Sequence, residues 1–148
     1  MRKKDYATGL MLERVHHIAI VCSDYQASRN FYTQVLGLHV LGEVYRAERG
    51  SFKLNLGLAN GGQIELFSFP DPPPRASFPE ACGLRHLAFA VTNLEASREW
   101  LELQQVKAEE IRVDPETGLR YMFFFDPDGL PLELYEEPRG PGLSLPDP

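Results

Sequence analysis

His16-His17-Ile18-Ala19-Ile20-Val21-Cys22 is answered sixty-nine residues later by Arg85-His86-Leu87-Ala88-Phe89-Ala90-Val91. Laid over each other without gaps, residues 16–32 and 85–101 agree at five positions: His17/His86, Ala19/Ala88, Ala27/Ala96, Ser28/Ser97 and Arg29/Arg98. Most differences are mild, such as Ile18/Leu87, Ser23/Thr92, Asp24/Asn93 and Gln26/Glu95. Self-similarity at a fixed spacing marks a duplicated architecture. Here the duplication also repeats a histidine.

Outward from these stretches, the same plan recurs twice. Val15–Cys22 alternates in the manner of a strand, with His17, Ala19 and Val21 on one face and Ile18, Ile20 and Cys22 on the other. A helix is expected next, with Ser23 and Gln26 as a capping box, Ala27, Phe31 and Val35 as its buried stripe and Gly37 as its stop. Strands are expected at 39–46 and 52–59. Asn60-Gly61 gives a hairpin signal before a further strand, Gln63–Phe69, which carries Glu65. The proline-rich run from Pro70 ends that strand and opens a connector over 70–83. The second half predicts a strand at Leu84–Val91, a helix capped by Thr92 and Glu95, strands near 108–113 and 120–125, an Asp126–Gly129 turn, and a strand Leu130–Glu136 carrying Glu133. In that helix Leu94, Trp100/Leu101 and Val106 supply the apolar positions. The expected organisation is one domain over 13–137, with modules at about 13–69 and 84–137. A lead-in (1–12) is expected to pack loosely. A Pro/Gly-rich tail (138–148) is expected to be disordered or draped on a neighbour.

Length and composition bound the function. With 148 residues, 43% hydrophobic and 24% charged, the chain suits one ordinary globular core. A net charge of −6, with no basic run beyond Arg2-Lys3-Lys4, argues against a nucleic-acid partner. No apolar run reaches the roughly 18 residues needed to span a membrane, and no signal peptide is evident. The two cysteines, Cys22 and Cys82, lie outside any Cys-x-x-Cys pattern, so a reduced, cytoplasmic setting is expected.

Four side chains carry the chemistry: His17, Glu65, His86 and Glu133. The histidine-to-glutamate spacing is 48 residues in the first half and 47 in the second. Period-two reading places each pair on the face opposite the aliphatic one, where Ala19 and Ala88 leave room for a ligand. A lone strand histidine is more often a core residue, and a strand glutamate more often faces solvent. The same pair on the same face of both halves weighs against that reading. Two imidazoles and two carboxylates without thiolates suit a divalent first-row metal with positions left for water or substrate. His16 is out of phase with His17 and is expected to be structural, and His39 is expected at the surface. Arg46, Arg49, Lys53 and Arg120 are expected as solvated charges, although each has the chemistry to hold a substrate carboxylate. Cys82 has no neighbour that would activate it. Asp126-Pro127-Asp128-Gly129 lacks the remaining ligands of a calcium loop and reads as a turn.

The run His-Ile-Ala-Ile, Phe-Tyr, Leu-Gly, Ile-Glu-Leu-Phe, Arg-His-Leu-Ala-Phe, Asp-Pro-Asp-Gly and Leu-Glu-Leu resembles the vicinal oxygen chelate superfamily over residues 13–137. Within it the likeness is to glyoxalase I-like proteins, in particular the small YaeR-type members. The resemblance implies an α+β fold of two tandem βαβββ modules forming a cupped eight-stranded mixed sheet around a metal. It implies His17, Glu65, His86 and Glu133 as ligands of one divalent ion, with nickel or zinc foremost and cobalt, manganese or iron as the others. It also implies a homodimer acting on a small molecule that chelates the ion through vicinal oxygens. The reaction class is proton abstraction next to a carbonyl, with a metal-stabilised enediolate and with Glu133, mirrored by Glu65, as the catalytic carboxylate. The implied substrate is a glutathione or other thiol adduct of a 2-oxoaldehyde. The segments 114–120 and 79–83 differ from the loops of bacterial glyoxalase I, so the thiol stays open. The competing readings are a ring-cleaving dioxygenase, a thiol-transferase resistance enzyme on the same scaffold, and a metal-free binding module.

Overall fold

The computed structural model describes residues 9–138. Residues 1–8 and all but the first residue of the expected tail lie outside the described residues. The first repeat runs β1 (His17–Cys22), α1 (Tyr25–Asn30), β2 (His39–Arg46), β3 (Ser51–Gly57) and β4 (Gln63–Ser68). The second runs β5 (Leu87–Val91), α2 (Leu94–Leu103), β6 (Arg112–Val113), β7 (Arg120–Phe125) and β8 (Pro131–Glu136). Both are βαβββ units, as the duplication predicts. The eight strands form two four-stranded sheets with the same order, β1-β4-β3-β2 and β5-β8-β7-β6. In each, the outermost strand runs parallel to its neighbour while the remaining pairs are antiparallel. The expected single cupped sheet is thus two separate sheets among the described residues.

Alternation decides which face is buried. Ile20, Cys22, Leu54, Leu56, Ile64 and Leu66 from the first sheet enter a core that Leu87, Met122, Phe124, Leu132 and Leu134 continue from the second. The first repeat's helical segment fills the space between them. Phe31 lies 6.3 Å from Phe124, centroid to centroid, and the Trp100 indole donates to the Val35 carbonyl at 2.8 Å. Polar ties reinforce this join. The fully buried Tyr32 hydroxyl donates to Asp126 Oδ2 at 2.9 Å. The Ser23 amide donates to Asp128 Oδ2 at 3.0 Å, and its hydroxyl bonds the other oxygen. Asp126 Oδ1 also accepts from the Asp128 and Leu130 amides, each at 2.9 Å, so the Asp126–Gly129 segment is the expected turn.

Three local expectations are corrected. The helix caps lie one residue later than the capping boxes predict. Asp24 accepts from the Ala27 amide at 3.1 Å and Asn93 from the Ala96 amide at 3.0 Å, both from extended backbone. Ser23 is diverted to Asp128. The buried stripe moves with the cap: Ser28, Phe31 and Tyr32 are buried and Ala27 is exposed, with the helix widening into a π-helical turn over Phe31–Val35. Finally, the strand expected at 108–113 shrinks to β6. Its ladder shifts by one residue between the Ala108–Phe124 bridge and the Arg112–Tyr121 pair, a bulge that interrupts pairing. A similar shift lies between Val40 and Gly42 in β2. The cap assignment predicts that Asn93→Ala costs about 1 kcal/mol and lowers the thermal midpoint by about 3 °C, whereas Thr92→Ala leaves it nearly unchanged. Calorimetric melting of both variants checks this.

Candidate metal centre

Each sheet delivers one imidazole and one carboxylate to its open face. His17 begins β1, and Glu65 lies one strand over, in register with Ala19. His86 immediately precedes β5, and Glu133 on β8 is in register with Ala88. Their core-side neighbours Ile64, Leu66, Leu132 and Leu134 are buried, so period two turns both glutamates away from the core. The small Ala19 and Ala88 stand beside the carboxylates, as expected.

His17 Nε2 lies 3.5 Å from Glu65 Oε2, and His86 Nε2 lies 2.9 Å from Glu133 Oε2. The second pair is the more enclosed: Glu133 is 9% exposed, and the Phe123 ring meets His86 edge-on at 5.1 Å. In the first pair, Glu65 Oε1 also takes an ion pair from Lys53 Nζ at 3.3 Å. His16 touches the site after all, because its Nδ1 lies 2.9 Å from His17 Nδ1. One ring must donate and the other accept, an arrangement that fixes the His17 ring and leaves its Nε2 turned to Glu65.

The four residues are gathered two by two. Among the described residues no three His, Cys, Asp or Glu side chains stand together as a metal-holding group. The expected convergence of all four is therefore not made within one chain. Each pair does fit half of such a group. Two donors about 2.0–2.1 Å from one ion and at right angles to each other lie about 2.9 Å apart. The separations here are that distance and one slightly longer.

The remaining candidates are spent elsewhere or unconnected. Arg120 bridges Glu95 and Glu136, tying α2 to β7 and β8, and is structural. Its guanidinium holds Glu95 below the usual carboxylate range; Glu136 is lowered too, first by the Leu94 amide and then by Arg120. His39 is exposed, as expected. Both cysteines are free; burial, with the charge of Asp128 second, pushes the Cys22 thiol up to about 11, so it is inert, while Cys82 is exposed. A cavity of about 530 Å³ between β1 and the connector is lined by Val21, Cys22, Arg75, Cys82, Asp126 and Asp128 among others, and includes none of the four. No described helix is long and apolar enough to cross a membrane.

The chain is thus a tandem repeat of βαβββ units, each presenting a His–Glu pair on the open face of its sheet. The family model described as Glyoxalase/Bleomycin resistance protein/Dioxygenase superfamily matches residues 14–134, and the chain belongs to that superfamily. It is 57% identical to YaeR of Escherichia coli (strain K12), over 86% of this chain and 99% of that protein. It is 56% identical to YwkD of Bacillus subtilis (strain 168), over 86% of this chain and all of that protein; both relatives are described as uncharacterized. Among solved structures, it resembles the glyoxalase family protein from Enterococcus faecalis with a TM-score of 0.81 and 47% identity, over 86% of this chain and 100% of that one.

Proposed function

We propose that the protein is a metal-dependent, glyoxalase I-like lyase or isomerase of small 2-oxo or 2-hydroxy compounds, with each centre completed across a homodimer. The observation that supports this is the pair of His–Glu contacts, 3.5 and 2.9 Å long, at equivalent positions of the two repeats. Two ligands hold a divalent ion poorly, and four hold it well. A two-fold dimer that lays the first repeat of one protomer against the second repeat of its partner makes two four-ligand centres. Surface beside the pairs is available for such a contact: Val21 and Val44 on the open face of the first sheet are 50% and 51% exposed.

His17, Glu65, His86 and Glu133 would hold the ion, with nickel or zinc the first choices. When bound, a divalent ion supplies Lewis acidity to two neighbouring substrate oxygens. The chain's residues do the rest. Glu133 is the carboxylate that would take the proton from the substrate's hydroxyl-bearing carbon and return it to the adjacent carbonyl carbon. It lies against Phe123 and His86, where little water competes for that proton. Glu65, held by Lys53, keeps its place as a ligand. Ala19 and Ala88 leave the carboxylates unobstructed from above. Two free thiols suit a reducing cytoplasm. Thiol adducts of 2-oxoaldehydes fit this chemistry, and glutathione is one thiol among several.

Protein purified without chelator is expected to carry about one divalent ion per chain. In deuterated water it is expected to exchange the carbon-bound proton of its substrate, read by NMR with hemithioacetals of methylglyoxal. Glu133→Gln is expected to slow that exchange about 10²–10⁴-fold. Substoichiometric metal with no gain on adding nickel, zinc, cobalt or manganese would favour a binding module instead. A metal held without Glu65 would favour dioxygenase chemistry, which uses two histidines and one carboxylate.

A further inference from the structure

The two halves of the proposed centre occupy equivalent positions but are lined differently. Residues paired directly across an antiparallel ladder share a face. Glu65 pairs with Asn55 and Phe67 with Lys53; in the second repeat Glu133 pairs with Phe123 and Tyr135 with Tyr121. Asn55 and Lys53 therefore stand where the second repeat has Phe123 and Tyr121.

Charge gathers on one side. Lys53 Nζ, besides its contact with Glu65, lies 5.8 Å from the Phe67 ring centroid. The Arg46 guanidinium lies 5.1 Å from the same ring and donates to Ser51 Oγ at 3.1 Å, while its Nε is buried without a hydrogen-bond partner among the described residues. Flat apolar surface gathers on the other. Tyr121 and Tyr135 are stacked with their planes 9° apart, and Phe123 stands edge-on to both Tyr121 and His86. The Tyr135 hydroxyl donates to Asp114 at 3.0 Å, which puts a negative charge at that end.

We infer that the shared centre reads its substrate in one orientation, with an anionic group at Lys53 and Arg46 and a flat or apolar body on Tyr121, Phe123 and Tyr135. This rests on the shared-centre reading above. Lys53 is two-thirds buried and its present counter-charge is Glu65. A divalent ion drawing on that carboxylate leaves the ammonium without its full partner, and a partly buried cation is costly until another anion faces it. Arg46, one of whose donors has no acceptor, adds to the same deficit. The substrate class is thus a small acid, carboxylate or phosphate, with two vicinal oxygens for the ion and an apolar arm.

The test uses two chelators of similar length on the nickel-loaded protein, followed by titration calorimetry: the monohydroxamate of succinic acid, which is charged, and neutral pentanohydroxamate. Wild type is expected to prefer the charged chelator about tenfold, the worth of one charge-assisted contact. Lys53→Met is expected to lose that preference while binding pentanohydroxamate as before, and Lys53→Arg to keep it. No preference in wild type, or an undiminished one in Lys53→Met, overturns the inference while leaving the metal centre standing. If neither hydroxamate binds wild type, the shared centre itself fails, and this inference with it.

Discussion

Two variants that each bind no metal are expected to bind it again when mixed. The first, His17→Ala with Glu65→Gln, removes the donors of one repeat; the second, His86→Ala with Glu133→Gln, removes those of the other. Each homodimer then has two donors at every centre, and its metal content should fall to near zero. Subunit exchange changes the count. A mixed dimer joins the intact first repeat of one protomer to the intact second repeat of its partner, which restores one centre of two. Random exchange at equal amounts makes about half the dimers mixed, so metal and activity should return to about a quarter of the wild-type level. Inductively coupled plasma analysis before and after exchange reads the result. No recovery, with exchange verified by mass-tagged protomers, would refute a centre shared between chains.

The second large effect concerns stability. Asp126 is 6% exposed and accepts from the Tyr32 hydroxyl and the Asp128 and Leu130 amides. Asp126→Ala strands those donors in the joint between the repeats. Each unpaired buried group costs about 1–3 kcal/mol, so the loss is expected to be about 3 kcal/mol, a fall of roughly 10 °C in thermal midpoint. Asp126→Asn keeps the shape and an acceptor oxygen and should stay within about 1 kcal/mol. The two are also separated by pH. Burial raises the Asp126 carboxyl above its ordinary 3.8, against the pull of its hydrogen bonds. A raised carboxyl contributes stability that is complete below the ordinary value and is lost as pH rises through the folded one. Wild type should therefore lose ground to Asp126→Asn as pH climbs from about 4, and the gap should level off once Asp126 is fully ionised. Denaturant melts across that range measure it; a gap moving the other way would show that the hydrogen bonds outweigh burial.

Strand faces were legible in the sequence because a period of two leaves no choice: once Ile64 and Leu66 are core, Glu65 is not. The repeat made His86 and Glu133 legible from His17 and Glu65. The first cap falls one residue past the pattern because Ser23 and Asp24 are equally good acceptors in isolation, and the distant Asp128 takes Ser23. Lys53 read as surface charge because its contact with Glu65 depends on ladder register, which local pattern does not contain. Phase separates His16 from His17, yet His16 precedes the strand, where phase no longer applies. Repetition shows that two faces are alike. It does not say whether they meet within a chain; the α+β tandem-module fold is as expected, and its eight strands ladder as two four-stranded sheets.

No ladder among the described residues passes from one sheet to the other, and both have the same strand order. An ancestral gene encoding a single repeat would have supplied every position of such a centre in identical copies, so that no residue changed without its twin. Two repeats in one chain are free of that tie. Lysine stands at 53 where the second repeat has tyrosine at 121, so a scaffold of matching halves carries two unlike ends.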